Sequence, residues 1–166
     1  MEVPQTREWV IRRALDDDSN SIRALHEALN RPMRSDSVSS EYFVVSTPQQ
    51  SIVGCAAVRK INSIGYLYGL GVDKSWRRCG IGHALTQERL EWLKVNGAAT
   101  AYVLAMFWNI RFFKKHGFLL AERTLIEKLR DVHQDFSERW SSRSALLRYE
   151  FQPETKSAIG HAGQND

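Results

Sequence analysis

Val72-Asp73-Lys74-Ser75-Trp76-Arg77-Arg78-Cys79-Gly80-Ile81-Gly82-His83-Ala84-Leu85 decides how the rest of this chain is read. An apolar, glycine-containing run ends at Val72 and a polar turn follows. From Gly80 to about Asn96, Ile81, Ala84, Leu85 and Trp92 recur on one side of a helix, with Glu88, Arg89 and Lys94 elsewhere, and Gly97 supplies the stop. A strand, a short turn and a helix opening on glycines present backbone amides that have no intrahelical partner and sit at the positive end of the helix dipole. A pyrophosphate satisfies such amides. Gly80 and Gly82 let phosphate oxygens approach the backbone, and Arg77 and Arg78 add charge. Two other phosphate loops are excluded. His83-Ala84 stands where a Walker A loop needs Lys-Ser/Thr, and Leu85 fills the third glycine position of a dinucleotide fingerprint. A glycine turn that only packs a helix on a sheet is the alternative at this point.

Outward from this stretch, Tyr66 to Val72, Ile52 to Lys60 and Tyr42 to Ser46 are rich in β-branched, aromatic and small apolar residues. Asn62-Ser63-Ile64-Gly65 and Pro48-Gln49-Gln50 separate them, which predicts an antiparallel meander. Upstream, Trp9 to Arg13 alternates as a half-buried strand. Asp18 is placed to cap a helix over about Ser19 to Asn30, where Ile22, Leu25 and Leu29 fall at helical spacing and Pro32 ends the pattern; Ser35 to Ser40 reads as a loop. Downstream, the pattern predicts a strand over Ala101 to Ala105 and a helix over Asn109 to Lys115 ended by Gly117. Strands over Phe118 to Ala121 and Ala145 to Phe151 complete it, and Leu125 to Trp140 stays open between helix and loop. Residues 1–8 read as a flexible lead-in, 9–151 as one domain and 152–166 as a disordered tail of low apolar content.

Composition fits that organisation. At 166 residues, 43% hydrophobic and 25% charged, the chain is long enough for one core and short for two. Cys55 and Cys79 match no disulfide or metal spacing and read as reduced thiols of a cytoplasmic protein. No apolar run approaches the ~20 residues that span a bilayer, and Met1-Glu2-Val3-Pro4 lacks the start of a signal peptide. The net charge of +4 and pI of about 9.2 raise the question of nucleic acid. Arg77-Arg78 and Lys114-Lys115 are separate pairs, however, with no aromatic-interleaved stripe between them. A polyanionic small cofactor accounts for the basicity equally well.

The stretch from Val72 to Leu85 resembles motif A of the GNAT superfamily of N-acetyltransferases, whose pattern Arg/Gln-x-x-Gly-x-Gly/Ala is filled by Arg77, Gly80 and Gly82. Arg111-Phe112-Phe113-Lys114-Lys115-His116-Gly117-Phe118 resembles the motif B helix and following strand. With Ile11 to Ala14 and Asp18 to Leu25, the resemblance covers about 10–151. It implies an α+β fold, a mostly antiparallel central sheet with a splayed centre and flanking helices. It also implies acetyl-CoA as co-substrate, no metal, and direct attack of an amine on the thioester carbonyl. Gly69-Leu70-Gly71-Val72 is where a bulge would splay the sheet, and Leu70, Gly71 and Val72 would then line the pantetheine. Arg77, Arg78, Cys79, Gly80, Ile81, Gly82, His83 and Ala84 would hold the pyrophosphate, with Asn109, Phe112 and Phe113 on the far side. A finer resemblance, to amino-acid N-acetyltransferases related to N-acetylglutamate synthase, rests on Gly54 to Ala57, Ile64-Gly65-Tyr66 and Arg143 to Leu147. Two departures bear on the acceptor: Ala145 replaces the Lys of that subgroup's Arg-Ser-Lys, and Tyr66 stands where it has Glu.

An amine is mostly protonated at neutral pH, so a base or a water chain must take its proton. The central strand offers no carboxylate. Tyr66 and Tyr68 share a strand face and either order water or pack the sheet, and the Leu70 amide is the candidate donor to the oxyanion. Phe113 occupies the place of the motif B tyrosine that reprotonates the thiolate in many family members, which leaves CoA to depart as thiolate. Asn109 either bonds the cofactor or caps a helix. Arg31, Arg34, Arg59 and Arg143 are candidates for holding an acceptor carboxylate, or are solvated surface charges. His26 and His116 read as structural, His116 as a cation at a helix C-terminus. The expected partner is a small-molecule amine, with neither nucleic acid nor membrane. A protein acceptor, a non-catalytic acyl-CoA-binding module and a homodimer stay open.

Overall fold

The computed structural model describes residues 7–31, 40–129 and 143–152. Over these the backbone forms β1 (Val10–Arg13), α1 (Ser19–Ala28), β2 (Glu41–Ser46), β3 (Ile52–Ile61), β4 (Ile64–Val72), α2 (Ile81–Val95), β5 (Thr100–Met106), α3 (Ile110–Lys115), β6 (Leu119–Leu120), α4 (Leu125–Leu129) and β7 (Ser144–Glu150). One sheet runs in the order β1-β2-β3-β4-β5-β7-β6, and every pairing is antiparallel except β4 with β5. This is the mixed architecture that the sequence predicts, with element ends shifted by a residue or two. Pro32, Arg34, most of the loop before Ser40, residues 130–140 and the tail from 153 lie outside the described residues.

β3 explains why the sheet is covered on both sides. Its run Ile52–Ile61 is apolar almost throughout and buried from Val53 to Arg59, as a strand with helices on each face must be. Gly54, Ala56 and Val58 face α2, where Ile81, Leu85 and Leu93 are at most 1% exposed. Cys55 turns to the other face and packs with Ile22 and Leu25 of α1. α4 covers that second face further along, with Leu129 against Tyr66, Tyr102 and Leu146.

Three local readings need correction. The connection expected over Asn62 to Gly65 is only two residues long, since Ile61 pairs with Ile64. Asn62 has φ 53°, the left-handed conformation that two-residue hairpins require and Asn tolerates. Asp18 stands at the N-cap of α1 but makes no cap bond there. Its carboxylate instead pairs with Arg12 at 2.6 Å and accepts from the Leu15 amide at 2.7 Å, tying β1 to the start of the helix. The Arg12 hydrogen bond is the main reason the Asp18 carboxyl sits below the usual carboxylate range. Arg7, expected in a loose lead-in, donates to the Ser75 carbonyl and lies 5.2 Å over the Trp76 ring. It holds the turn that precedes α2.

Candidate functional site

The site begins with a one-residue irregularity. Ala57 pairs with Tyr68 and Cys55 with Gly71, so β4 takes three steps where β3 takes two. The extra residue is accommodated at Gly69, whose φ of 61° suits glycine. The insertion also reverses the alternation of side chains. Tyr66 and Tyr68 pack toward the α4 face, whereas Leu70 and Val72 pack toward the α2 face. β4 pairs with β5 only from Ile64 to Tyr66, and beyond that point the two strands part. The opening between them is a cleft of about 910 Å³, at the upper end of the ~300–1,000 Å³ range of small-molecule sites.

At one end lies the turn into α2. Gly80 has φ 79° and a Cβ added there would meet nothing within 4 Å, so backbone conformation and not packing calls for glycine. Arg78 is also left-handed, with φ 64°. Such alternation makes a concavity of N–H groups. The helix opens with the Ala84 amide bonded to the Gly80 carbonyl and has no side-chain cap, so the first amides face outward. Asp73 stabilises the turn by accepting from the Ser75 amide at 2.8 Å and from its hydroxyl, and the hydroxyl bond is the largest cause of its lowered pKa. Arg77, Arg78, Gly80, Ile81, Gly82 and His83 line the cleft here. Cys79 and Ala84 do not. The Cys79 thiol lies 3.6 Å from the Arg77 carbonyl and packs against the core.

α3 forms the opposite wall with Asn109, Phe112 and Phe113. Asn109 occupies the N-cap position without a capping bond from its side chain. His116, read as a cation, is buried at 8% exposure with its pKa lowered, chiefly by desolvation. It acts as a neutral cap: Nδ1–H donates to the Phe112 carbonyl at 2.9 Å, and the ring packs on His83 at 4.7 Å.

At the other end Tyr66 and Tyr68 stack at 5.4 Å and 9°, with the Tyr42 ring edge-on to Tyr68. Tyr68 donates to the Ser40 hydroxyl, which also accepts from Arg59 at 3.1 Å. Arg59 itself is buried behind the Tyr68 ring and does not line the cleft. Arg31 does, and it donates to the Leu70 carbonyl at 3.4 Å. Arg143 is exposed and lies off the cleft, although its neighbour Ser144 lines it; Arg34 is outside the described residues.

Two residues of the cleft floor have no signal in the sequence beyond their spacing on a helix. His26, 4% exposed, places Nε2 at 3.3 Å from Cys55 Sγ beneath the bulge, and burial pushes the Cys55 thiol up to about 12. Arg89, assigned by the helical pattern away from the apolar side, is fully buried and borders the cleft from below. The Ala57 and Tyr68 carbonyls beside the bulge accept from it and take the place of the water that would satisfy its donors on a solvated helix face.

Three comparisons bear on this geometry. A search of curated protein sequences finds no match. Among solved structures, Rv2747 from Mycobacterium tuberculosis, in complex with CoA and NLQ, superposes with TM-score 0.72 at 20% identity, over 86% of this chain and 99% of that one. N-acetylglutamate synthase from Neisseria gonorrhoeae, complexed with coenzyme A and N-acetyl-glutamate, gives 0.73 at 21% identity over 88% of this chain but only 36% of its own. Ard1 from Thermoplasma volcanium gives 0.66 at 19% identity, over 87% and 99%. At these identities the likeness is one of fold. The sequence profile of the acetyltransferase (GNAT) family matches residues 7–118, from Arg7 to the residue just ahead of β6, and the chain belongs to that family.

Proposed function

We propose that the protein transfers an acetyl group from acetyl-CoA to the amine of a small molecule, an amino acid or a compound like one. The observation that carries this reading is the parting of β4 and β5 after Tyr66, which joins an anion cradle to a tyrosine-lined chamber through one continuous cleft. The cradle fits a pyrophosphate on two grounds. Its outward amides have no side-chain cap, and Gly80 leaves open space where any other residue would project a Cβ. Arg77 and Arg78 would neutralise phosphate charge, while Leu70 and Val72 would bond an extended pantetheine arm as a missing strand does.

In this reading acetyl-CoA supplies a thioester carbonyl held near the bulge. The amine nitrogen bonds to the carbonyl carbon, the C–S bond breaks and CoA leaves as thiolate. The Leu70 amide donates to the carbonyl oxygen as negative charge develops. Tyr66 and Tyr68 hold the water that carries away the amine proton, since a phenol near its usual pKa of ~10 is a poor base at neutral pH. Arg31, which lines the cleft beside Leu70, supplies positive charge on the acceptor side, which favours an acceptor bearing a carboxylate. A peptide or protein amine is the alternative acceptor against which the reading is tested.

The test is release of free thiol from acetyl-CoA in the presence of an amine panel that includes amino acids, with acetylated products identified by mass spectrometry. Turnover with a carboxylate-bearing small amine is expected. Products only from peptides, or tight CoA binding with no turnover on any amine, would overturn the proposal.

A further inference from the structure

Arg89 is the largest fully buried side chain, and no carboxylate pairs with it among the described residues. A buried guanidinium without a counter-ion is unfavourable unless its donors are met. Here carbonyl and hydroxyl oxygens meet them. Nε donates to Leu85 O at 3.1 Å within α2. One terminal nitrogen donates at 3.2 Å to both Ala57 O and Tyr68 O, the last ladder pair before the register slips. The other lies 3.3 Å from Thr86 Oγ1, whose hydroxyl in turn donates to Gly82 O at 2.9 Å. One side chain therefore links the first turn of α2, at the phosphate cradle, to the peptide just ahead of the bulge.

The consequence is both geometric and electrostatic. Fixing the Tyr68 carbonyl fixes the Tyr68–Gly69 peptide plane, the last peptide before the left-handed turn at Gly69 that leads to the Leu70 amide. Among the described residues no carboxylate cancels the charge, and it borders the cleft on the α2 side, the side toward which Leu70 points. In a low-dielectric interior such a charge acts over several ångströms with little screening.

We infer that Arg89 is a positioning residue for the transfer reaction: it anchors the peptide from which the bulge leads to the Leu70 amide, and its positive charge favours the thiolate that leaves. This rests on the cleft being a CoA site, as proposed above. Burial pulls the guanidinium down to about 9, which leaves it charged at neutral pH.

The experiment is an ultraviolet titration of the thiol of CoA bound to the full chain, which needs no knowledge of the acceptor. The bound thiol is expected to titrate below free CoA by about 1 unit or more, as groups do beside an opposite charge. Arg89→Gln, which keeps a donor but not the charge, should bring it back to the free value while CoA affinity changes by less than about threefold. Arg89→Lys should retain the lowered value. A wild-type thiol titrating at or above free CoA overturns the inference whether or not either variant folds. An unchanged value in folded Arg89→Gln does the same. If wild type fails to bind CoA at all, it is the functional reading that falls, a result distinguishable from either of these.

Discussion

Gly80 and His116 show how much can rest on one residue. Gly80 holds φ 79° with open space around its missing side chain. Gly80→Ala should therefore lower stability by only about 1 kcal/mol, the cost of a left-handed L-residue, yet weaken CoA binding about tenfold if phosphate needs that space. Urea unfolding and calorimetric titration on the same samples separate the two effects; unchanged affinity would reduce Gly80 to a turn residue. His116 carries a pH dependence whose sign follows from its burial. Its folded pKa lies below the ordinary 6.5, so as pH falls below 6.5 the unfolded chain takes up a proton that the folded chain refuses, and stability is lost. His116→Gln should flatten the fall of the thermal midpoint between about pH 7 and about pH 5. An equal slope in both proteins would assign the dependence to other groups. The cradle was legible in sequence because its parts are neighbours: Arg77, Arg78, Gly80 and Gly82 lie within six residues. Arg89 was not, because a charged residue on an amphipathic helix is normally solvated and the carbonyls that hold it come from 32 and 21 residues away.

The elements were legible where local pattern and packing agree. The meander follows from β-rich runs between short turns, and α2 follows from its apolar stripe. Where β4 begins was misjudged, because Gly65 looks like part of a turn until its neighbour is known. A Cβ there would sit 2.5 Å from both methyl carbons of Leu93, which is itself fully buried. Gly65 is a point of close approach between the sheet and α2. Gly65→Ala should cost about 1–3 kcal/mol by overpacking, with CoA affinity of the folded fraction unchanged, the reverse of the pattern expected at Gly80. Chemical denaturation would check this, and a stability equal to wild type would mean that Leu93 can yield. The tyrosine end of the cleft was less legible than the turn into α2 for a related reason. Tyr42, Tyr66, Tyr68 and Arg59 come from three different strands, and only the folded sheet makes them one cluster.

At the scale of the molecule, the sheet is two patches joined at a short parallel contact. β1 to β4 form one and β5, β7 and β6 the other, with Ile64 to Tyr66 against Thr100 to Tyr102 between them. Backbone groups of Leu70 to Val72 and of Val103 to Met106 that face the opening lack a strand partner across it. CoA should therefore slow hydrogen exchange in these two segments more than anywhere in β1 or β2, as measured by mass spectrometry with and without ligand. Uniform slowing, or none at the opening, would contradict the strand-like seat for pantetheine. The inserted residue at Gly69 gives this arrangement a further property. Before it, even-numbered side chains pack on the α4 face; after it, even-numbered side chains face the α2 core. One strand is thus written in two reading frames. Under the proposed function, changes at positions 66 and 68 would retune which amine is accepted while 70 and 72 went on serving the cofactor, leaving acceptor choice free to drift in a scaffold whose donor half stays fixed.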